Sequence, residues 1–308
     1  MITLDATAAH ALYDEQRDAL SARWSPMEDR PEETLDATLR ALWFTAAGDP
    51  RSAVSANDGE LPALSDAEIT RFRELVRRRE AGEPLAYITG RQRFLGVDLM
   101  ATPQALIARR ETELLADSAL AHVREACDRQ GSASVLDVCC GSGNVAIALA
   151  HHEARCAVLG SDLSPNAVDL ARANASFAGV AGRVQFFAGD LFAPFADARH
   201  HGTVDVVACN PPYIPSARVA LLAPEIRDHE PAIAFDGGAL GIGVIQQVFS
   251  QAPTYLRPGG WLCMEVGAGQ AEPLSRRMRR HSEYDMVDVR QDGNGVGRVL
   301  LARRRQVG

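Results

Sequence analysis

SVLDVCCGSGNVAIALA, residues 134–150, reads as a strand, a glycine-containing turn and a helix in direct succession. Glycines at 141 and 143 let the backbone turn tightly and leave room for a ligand at the helix N-terminus, where free N–H groups favour negative charge. About twenty residues on, Asp162 ends a second strand, CAVLGSD, well placed to accept from ribose hydroxyls. A G-x-G-x-x-A turn followed by such an acid is also the fingerprint of a dinucleotide site, so the turn by itself leaves the ligand open.

Outward from this unit the chain alternates. Helix SPNAVDLARANASFAG, strands RVQFFAGD and VDVVACN, helix GVIQQVFSQAPTYL, strand GGWLCMEVG and helix QAEPLSRRMRRH follow, and ETELLADSALAHVREACD precedes as a helix. Such alternation predicts a mostly parallel sheet covered on both faces. The closing runs YDMVDVR and GRVLLARR are too close for a helical crossover and should pair antiparallel at one end. Before residue 89 the pattern is helical: PEETLDATLRALWF, then SDAEITRFRELVRRREAG with Ser65 or Asp66 as cap. RFLGVDLMATPQALIA reads as two short extended pieces around Thr102-Pro103. The expected organisation is a helical domain over 1–88, a β-hairpin linker over 89–108 and an α/β domain over 109–308.

The chain has 308 residues, 46% apolar and 23% charged, with a net charge of −8. That is an ordinary globular composition, and the acidic balance argues against bulk binding to nucleic acid. No apolar run is long enough to span a membrane, and the acidic N-terminus shows no secretory pattern. The six cysteines form no C-x-x-C and no zinc spacing, so no metal is expected; reduced thiols suit a cytoplasmic protein.

Three details favour S-adenosylmethionine over a dinucleotide. Asp137 stands at the end of the first strand, where a carboxylate suits an ammonium and a sulfonium better than a pyrophosphate. Asp190 ends the third strand run and can accept from an adenine amino group. The closing strand pair is unlike a continuing parallel sheet. With these, VACNPPYIPS (207–216) sets one amide, a rigid backbone and an aromatic ring at a strand end, because prolines stop the strand.

The set DVCCGSG, SDLSPNA, GDLF and NPPY resembles the class I S-adenosylmethionine-dependent methyltransferases, a Rossmann-like fold whose last strand is antiparallel. LAYITGRQRFLG, LIARRETELL, the NPPY segment with its later HEP, LRPGGWLCMEVGAGQ and DGNGVGRVL are similar to the protein-glutamine N5-methyltransferases of the HemK family. The resemblance runs from about Leu85 to Arg303, and the helical N-terminal part fits that family's substrate-binding domain. It implies cofactor contacts from Cys139, Cys140, Gly141, Ser142, Gly143, Asp162, Asp190, Leu191 and Asn210, to which the reading above adds Asp137. It implies substrate contacts from Asn210, Pro211, Pro212 and Tyr213. The substrate would be a glutamine of a peptide-chain release factor or of ribosomal protein L3.

The chemistry suits these residue types. An amide nitrogen is a poor nucleophile because its lone pair is delocalised into the carbonyl. The Asn210 oxygen and the Pro211 carbonyl form two acceptors that hold an –NH2 and aim it for in-line displacement, with Tyr213 as a flat face beside it. NPPY suits any planar –NH2, so an N6-adenine nucleic-acid methyltransferase and an amide N-methyltransferase acting on a peptide or small molecule stand as alternatives. Arg71, Arg73, Arg77, Arg78 and Arg79 read as the solvated side of an amphipathic helix, or as a contact for ribosomal RNA. Ala108 and Arg110 replace the family's usual prolines, which bears on substrate identity.

Overall fold

Glu68 accepts from the backbone N–H and the hydroxyl of Ser65, both at 2.7 Å, and this capping box starts the helix Asp66–Glu80 that the periodicity predicts. The structure, a computed structural model, describes residues 6–306 apart from 23, 26 and 28. Its contacts divide the chain into two units, Met1–Pro103 with Ala223–Glu230, and Gln104–Leu222 with Pro231–Gly308. The division at Pro103 falls inside the 89–108 segment, and the chain leaves the larger unit once, at 223–230.

The smaller unit holds α1 (Ala6–Ser21), α2 (Leu35–Ala46), α3 (Asp66–Glu80), α4 (Leu85–Thr89) and a hairpin of β1 (Arg91–Phe94) and β2 (Val97–Met100). Its core gathers around Trp43, whose ring meets Phe72 edge-on at 5.0 Å and whose indole N–H donates to the Pro62 carbonyl at 2.8 Å. Helix α2 starts later than Pro31 because Thr34 caps it, accepting from Ala37 N at 3.2 Å.

Two expectations need correction. The hairpin turns at Leu95-Gly96, where φ is +45° and +80°, and not at Thr102-Pro103. A tight turn that follows strand twist needs two positive φ values, which glycine grants and proline forbids. Arg79 does not lie on the solvated side of α3. It is buried, its Nη1 donating to Glu225 Oε2 at 2.8 Å, while Arg30 Nη2 donates to Oε1 at 2.8 Å. Glu33 stands 3.4 Å from Arg30 and 3.9 Å from Arg79. Two guanidiniums thus bracket Glu225 of the 223–230 segment. Burial pushes the Glu33 carboxyl up despite both arginines. Arg73, Arg77 and Arg78 are paired with Glu15, Glu74 and Glu83, so much of the basic face is neutralised.

The larger unit begins with α5 (Arg110–Gln130), β3 (Ala133–Val138), α6 (Asn144–His152), β4 (Cys156–Asp162), α7 (Pro165–Phe177), β5 (Val184–Ala188) and β6 (Val204–Cys209). After it come α8 (Ser216–Val219), α9 (Pro224–His229, in the segment belonging to the smaller unit), α10 (Gly243–Tyr255), β7 (Leu256–Glu265), α11 (Ala271–Met278), β8 (Tyr284–Gln291) and β9 (Gly297–Arg304). The sheet order is β5-β4-β3-β6-β7-β9-β8. The first five strands are parallel, and β9 runs antiparallel to both β7 and β8. This is the class I methyltransferase sheet. The chain moves outward from β3 through β4 and β5, then crosses back to β6, so a crevice opens at the carboxyl ends of β3 and β6. Among the described residues no helix is long and apolar enough to cross a membrane.

Candidate active site

The crevice is a concave cleft, the usual form of a small-molecule site. From the end of β3 come Asp137, Cys139, Cys140, Gly141 and Ser142; from β4 and the turns after β4 and β5 come Asp162, Asp190 and Leu191; from the end of β6 come Asn210 and Pro212. Residues chosen from separate motifs therefore share one space. Gly143, Pro211 and Tyr213 lie off its wall.

The two glycines act differently. A side chain at Gly143 (φ +80°) would meet the Phe186 ring at 2.7 Å and Ala171 at 3.0 Å, whereas one at Gly141 (φ +52°) would meet nothing within 4 Å. Gly143 serves packing of the turn against α7 and β5; Gly141 keeps the cleft open. Gly143→Ala should therefore cost about 1–3 kcal/mol of stability from overpacking alone, measured as a drop in thermal midpoint. An unchanged midpoint would show that Phe186 gives way. Non-glycine residues with positive φ occur at Cys139 (+61°) and Leu191 (+45°), both on the cleft wall. Backbone held in this region is costly and clusters at ligand sites.

Asp137 is buried and accepts from Ala146 N, in the first turn of α6, at 3.0 Å. Burial first, then the neighbouring Asp162 charge, pushes its carboxyl up to about 7. Asp162 accepts from Gly141 N and Ser164 N, each at 2.9 Å, which ties the glycine turn to β4. Burial raises its pKa against these two bonds. Each oxygen keeps a lone pair for a visitor. Burial also pushes the Cys140 and Cys209 thiols well above their ordinary values, which suits packing residues and not nucleophiles.

Asn210 donates from Nδ2 to the Thr112 Oγ1 at 3.1 Å. Its Oδ1 has no partner among the described residues and belongs to a side chain on the cleft wall. The Tyr213 hydroxyl donates to Glu265 Oε1 at 3.2 Å. The backbone of NPPY is clamped from behind. A side chain at Gly237 would fall 2.6 Å from the Pro212 carbonyl oxygen, and one at Gly241 would fall 2.2 Å from that of Tyr213. Gln270 Nε2 donates to the Tyr213 oxygen at 3.0 Å. Close approach thus accounts for Gly237 and Gly241 of GGALGIGV (237–244), whereas Gly238, at φ +84° with nothing within 4 Å, serves the turn.

Thr112, Glu265 and Gln270 are absent from the sequence-derived set. Glu265 had a signal: it is an acid closing the apolar run WLCME. Thr112 and Gln270 lie in the segments LIARRETELL and LRPGGWLCMEVGAGQ that carry the family resemblance, but nothing local marks their roles, since their partners lie far along the chain.

The cleft fits S-adenosylmethionine. The buried Ser142 Oγ has no hydrogen-bond partner among the described residues, Gly141 leaves open space, and three aspartates face a single lining arginine, Arg109. Such a wall accepts an ammonium and hydroxyls and repels a pyrophosphate. Among the described residues no group of three His, Cys, Asp or Glu could hold a metal ion.

Comparison with known proteins agrees with this geometry. Residues 135–229 match a family model described as a methyltransferase domain, and residues 27–90 match one described as the PrmC N-terminal domain. The chain is 42% identical over 268 residues to a release factor glutamine methyltransferase of Geobacter sulfurreducens, covering 87% of this chain and 90% of that one. It is 34% identical to one of Moorella thermoacetica, covering 90% and 93%. Among solved structures it is similar in fold to the hMettl16 catalytic domain in complex with MAT2A 3'UTR hairpin 6, with TM-score 0.52 at 13% identity over 78% of this chain and 84% of that one.

Proposed function

The chain belongs to the release factor glutamine methyltransferase family, and from that membership we propose that it transfers a methyl group from S-adenosylmethionine to the side-chain N5 of a glutamine in a peptide-chain release factor. One observation carries the chemistry: Asn210, with its –NH2 committed to Thr112, offers only Oδ1 to the cleft that holds the glycine turn and Asp162. A free acceptor there selects a partner that carries N–H, as a glutamine amide does. The bound cofactor supplies an activated methyl group on a sulfonium.

The protein's own part is positioning. Asn210 Oδ1 accepts one amide N–H at the cleft wall, the Pro211 carbonyl, set just off that wall, would accept the other once the substrate is seated, and Pro212 walls the place where the group rests. Acceptors set out of the amide plane, on the side away from the methyl donor, would draw the two protons from that plane, weaken conjugation and turn the nitrogen lone pair toward the methyl group; the methylated nitrogen then releases one proton to solvent. Effective alignment of this kind contributes of order 7–11 kcal/mol in good cases. Asp162 and Asp190 hold hydroxyl and amino groups of the cofactor, and Asp137 its ammonium. Helices α1 to α4 would receive the protein substrate. The reaction would belong to the cytoplasm, where release factors act.

The test is mass spectrometry of a release factor and of ribosomal protein L3, each incubated with the protein and S-adenosylmethionine. One methyl group on a release-factor glutamine is the expected result. A methylated L3 with an unmodified release factor would overturn the substrate assignment, and methyl incorporation into nucleic acid alone would overturn the reaction class.

Asp137 makes cofactor affinity depend on pH. A cationic ligand favours the carboxylate, whose pKa before binding is about 7 against an ordinary value near 4. Below about pH 7 binding must expel a proton, so affinity should fall by up to roughly tenfold per pH unit. For the ligand-free fold the sign is opposite, because a raised carboxyl pKa contributes stability at low pH that is lost as pH rises toward 7. Calorimetry in buffers of different ionisation enthalpy should show proton release at pH 6.5 that Asp137→Asn abolishes. Affinity independent of pH would refute the contact.

A further inference from the structure

We propose that Thr112 and Glu265 are positioning residues that set which face of the Asn210 amide meets the substrate, through a relay running from Glu265 to the Thr112 hydroxyl to Asn210 Nδ2. The inference rests on the amide-methylation reading above and names residues that reading does not contain.

The asparagine itself is ambiguous. The two ends of its carboxamide are almost the same size and opposite in hydrogen-bonding sense, so packing alone does not choose between them. With Oδ1 toward the cleft the site receives an N–H donor; with Nδ2 there it receives a carbonyl and repels the –NH2 to be methylated. Something beside Asn210 has to choose.

Thr112 lies in the first turn of α5, 1% exposed, with Oγ1 3.1 Å from Asn210 Nδ2. A hydroxyl has one proton and can both donate and accept. If its proton were free it could serve Asn210 Oδ1 equally well and the amide would turn over. Glu265 removes that freedom. Its carboxyl, 2% exposed at the end of β7, lies against Thr112 and accepts from Tyr213 at Oε1. Oε2 is buried with no partner in full hydrogen-bond geometry, and the Thr112 hydroxyl is the neighbour able to fill it. Burial pushes the Glu265 carboxyl up to about 7, so above that pH it is a carboxylate that only accepts, and Thr112 then donates to it and presents its lone pairs to Asn210. The Asn210 –NH2 is then the only end that fits, and Oδ1 is turned to the cleft.

The surroundings are consistent with this. Glu111 of α5 and Arg298 of β9 are the charged groups facing Glu265, and they stand 3.9 Å apart, partly compensating one another. The same carboxylate fixes Tyr213, so one buried acid orients both functional side chains of NPPY. An acid closing an otherwise apolar strand in the sheet interior is costly to retain without such a task.

The test uses Thr112→Val, which keeps the shape without the hydroxyl, Thr112→Ser, which restores it, and Glu265→Gln, which can donate as well as accept. With saturating cofactor and release factor, Thr112→Val and Glu265→Gln should lose roughly ten- to hundredfold in kcat, as for loss of a hydrogen bond to a charged group. Cofactor affinity should stay near wild type, and Thr112→Ser should recover most of the turnover. A Thr112→Val enzyme with wild-type kcat, or a Thr112→Ser enzyme as slow as Thr112→Val, would overturn the relay. The Asn210 side-chain amide protons, followed by NMR, read the same contact without turnover. Slow exchange in wild type and Thr112→Ser but fast exchange in Thr112→Val supports the relay; equal exchange in all three overturns it. A wild-type protein with protected Asn210 protons and no methyl transfer would refute the functional reading and leave the relay standing.

Discussion

Asn210→Ala should lower kcat by about 10²–10³-fold while calorimetry still finds S-adenosylmethionine bound, because the substitution removes one oriented hydrogen-bonding group from the reacting centre. The other residues proposed to hold the cofactor, at the β3 turn, Asp162 and Asp190, line the cleft from separate elements and should be left in place. Asn210→Asp offers a sharper comparison. It retains an oxygen toward the cleft but sets a second carboxylate against Thr112, so two acceptors compete for one hydroxyl proton. Its turnover should also fall, less steeply at lower pH, where one of the two acids can hold a proton. Tritium transfer to the release factor from labelled cofactor measures both variants. Wild-type rates for Asn210→Ala would remove the side chain from the reaction.

Arg30→Met should destabilise the smaller unit by about 3–5 kcal/mol, the usual cost of breaking a buried ion pair from one side. Arg30 is 1% exposed and bonded to Glu225 at 2.8 Å, with Glu33 beside it, so its loss leaves two acids to Arg79 alone. The deficit should shrink as pH falls, since carboxyls left without a cation take up protons instead. Arg30→Lys should rescue little, because one ammonium cannot reach both acids with the spread of a guanidinium. Denaturant unfolding followed by the fluorescence of buried Trp43 measures the loss. A change below about 1 kcal/mol would mean that the cluster is tolerated and not stabilising.

The sheet and its cleft were legible in the sequence because they follow from local pattern. The strand CAVLGSD and the helix NVAIALAHH occupy the spans their periodicity marks, and the short gap before GRVLLARR dictates antiparallel pairing. The misplaced hairpin turn came from giving Pro103 more weight than the Leu95-Gly96 pair, although only the latter can supply two positive φ values. Arg79 was unreadable for a different reason. Helical spacing sets it among exposed arginines, and Glu225, 146 residues away, draws it inside with Glu33 beside it. The same holds at the active site. Asn210 announces itself through its prolines, but Thr112 is 98 residues earlier and Glu265 is 52 residues beyond Tyr213. Local patterns name the residues that line the cleft more readily than those that orient them.

The most direct test is a crystal structure of the protein with S-adenosylhomocysteine and a release-factor peptide bearing the target glutamine. The glutamine nitrogen should lie at about 3 Å from Asn210 Oδ1, with Asn210 Nδ2 still on Thr112. An Asn210 side chain turned out of the cleft, or a glutamine bound with its carbonyl toward residue 210, would contradict the account.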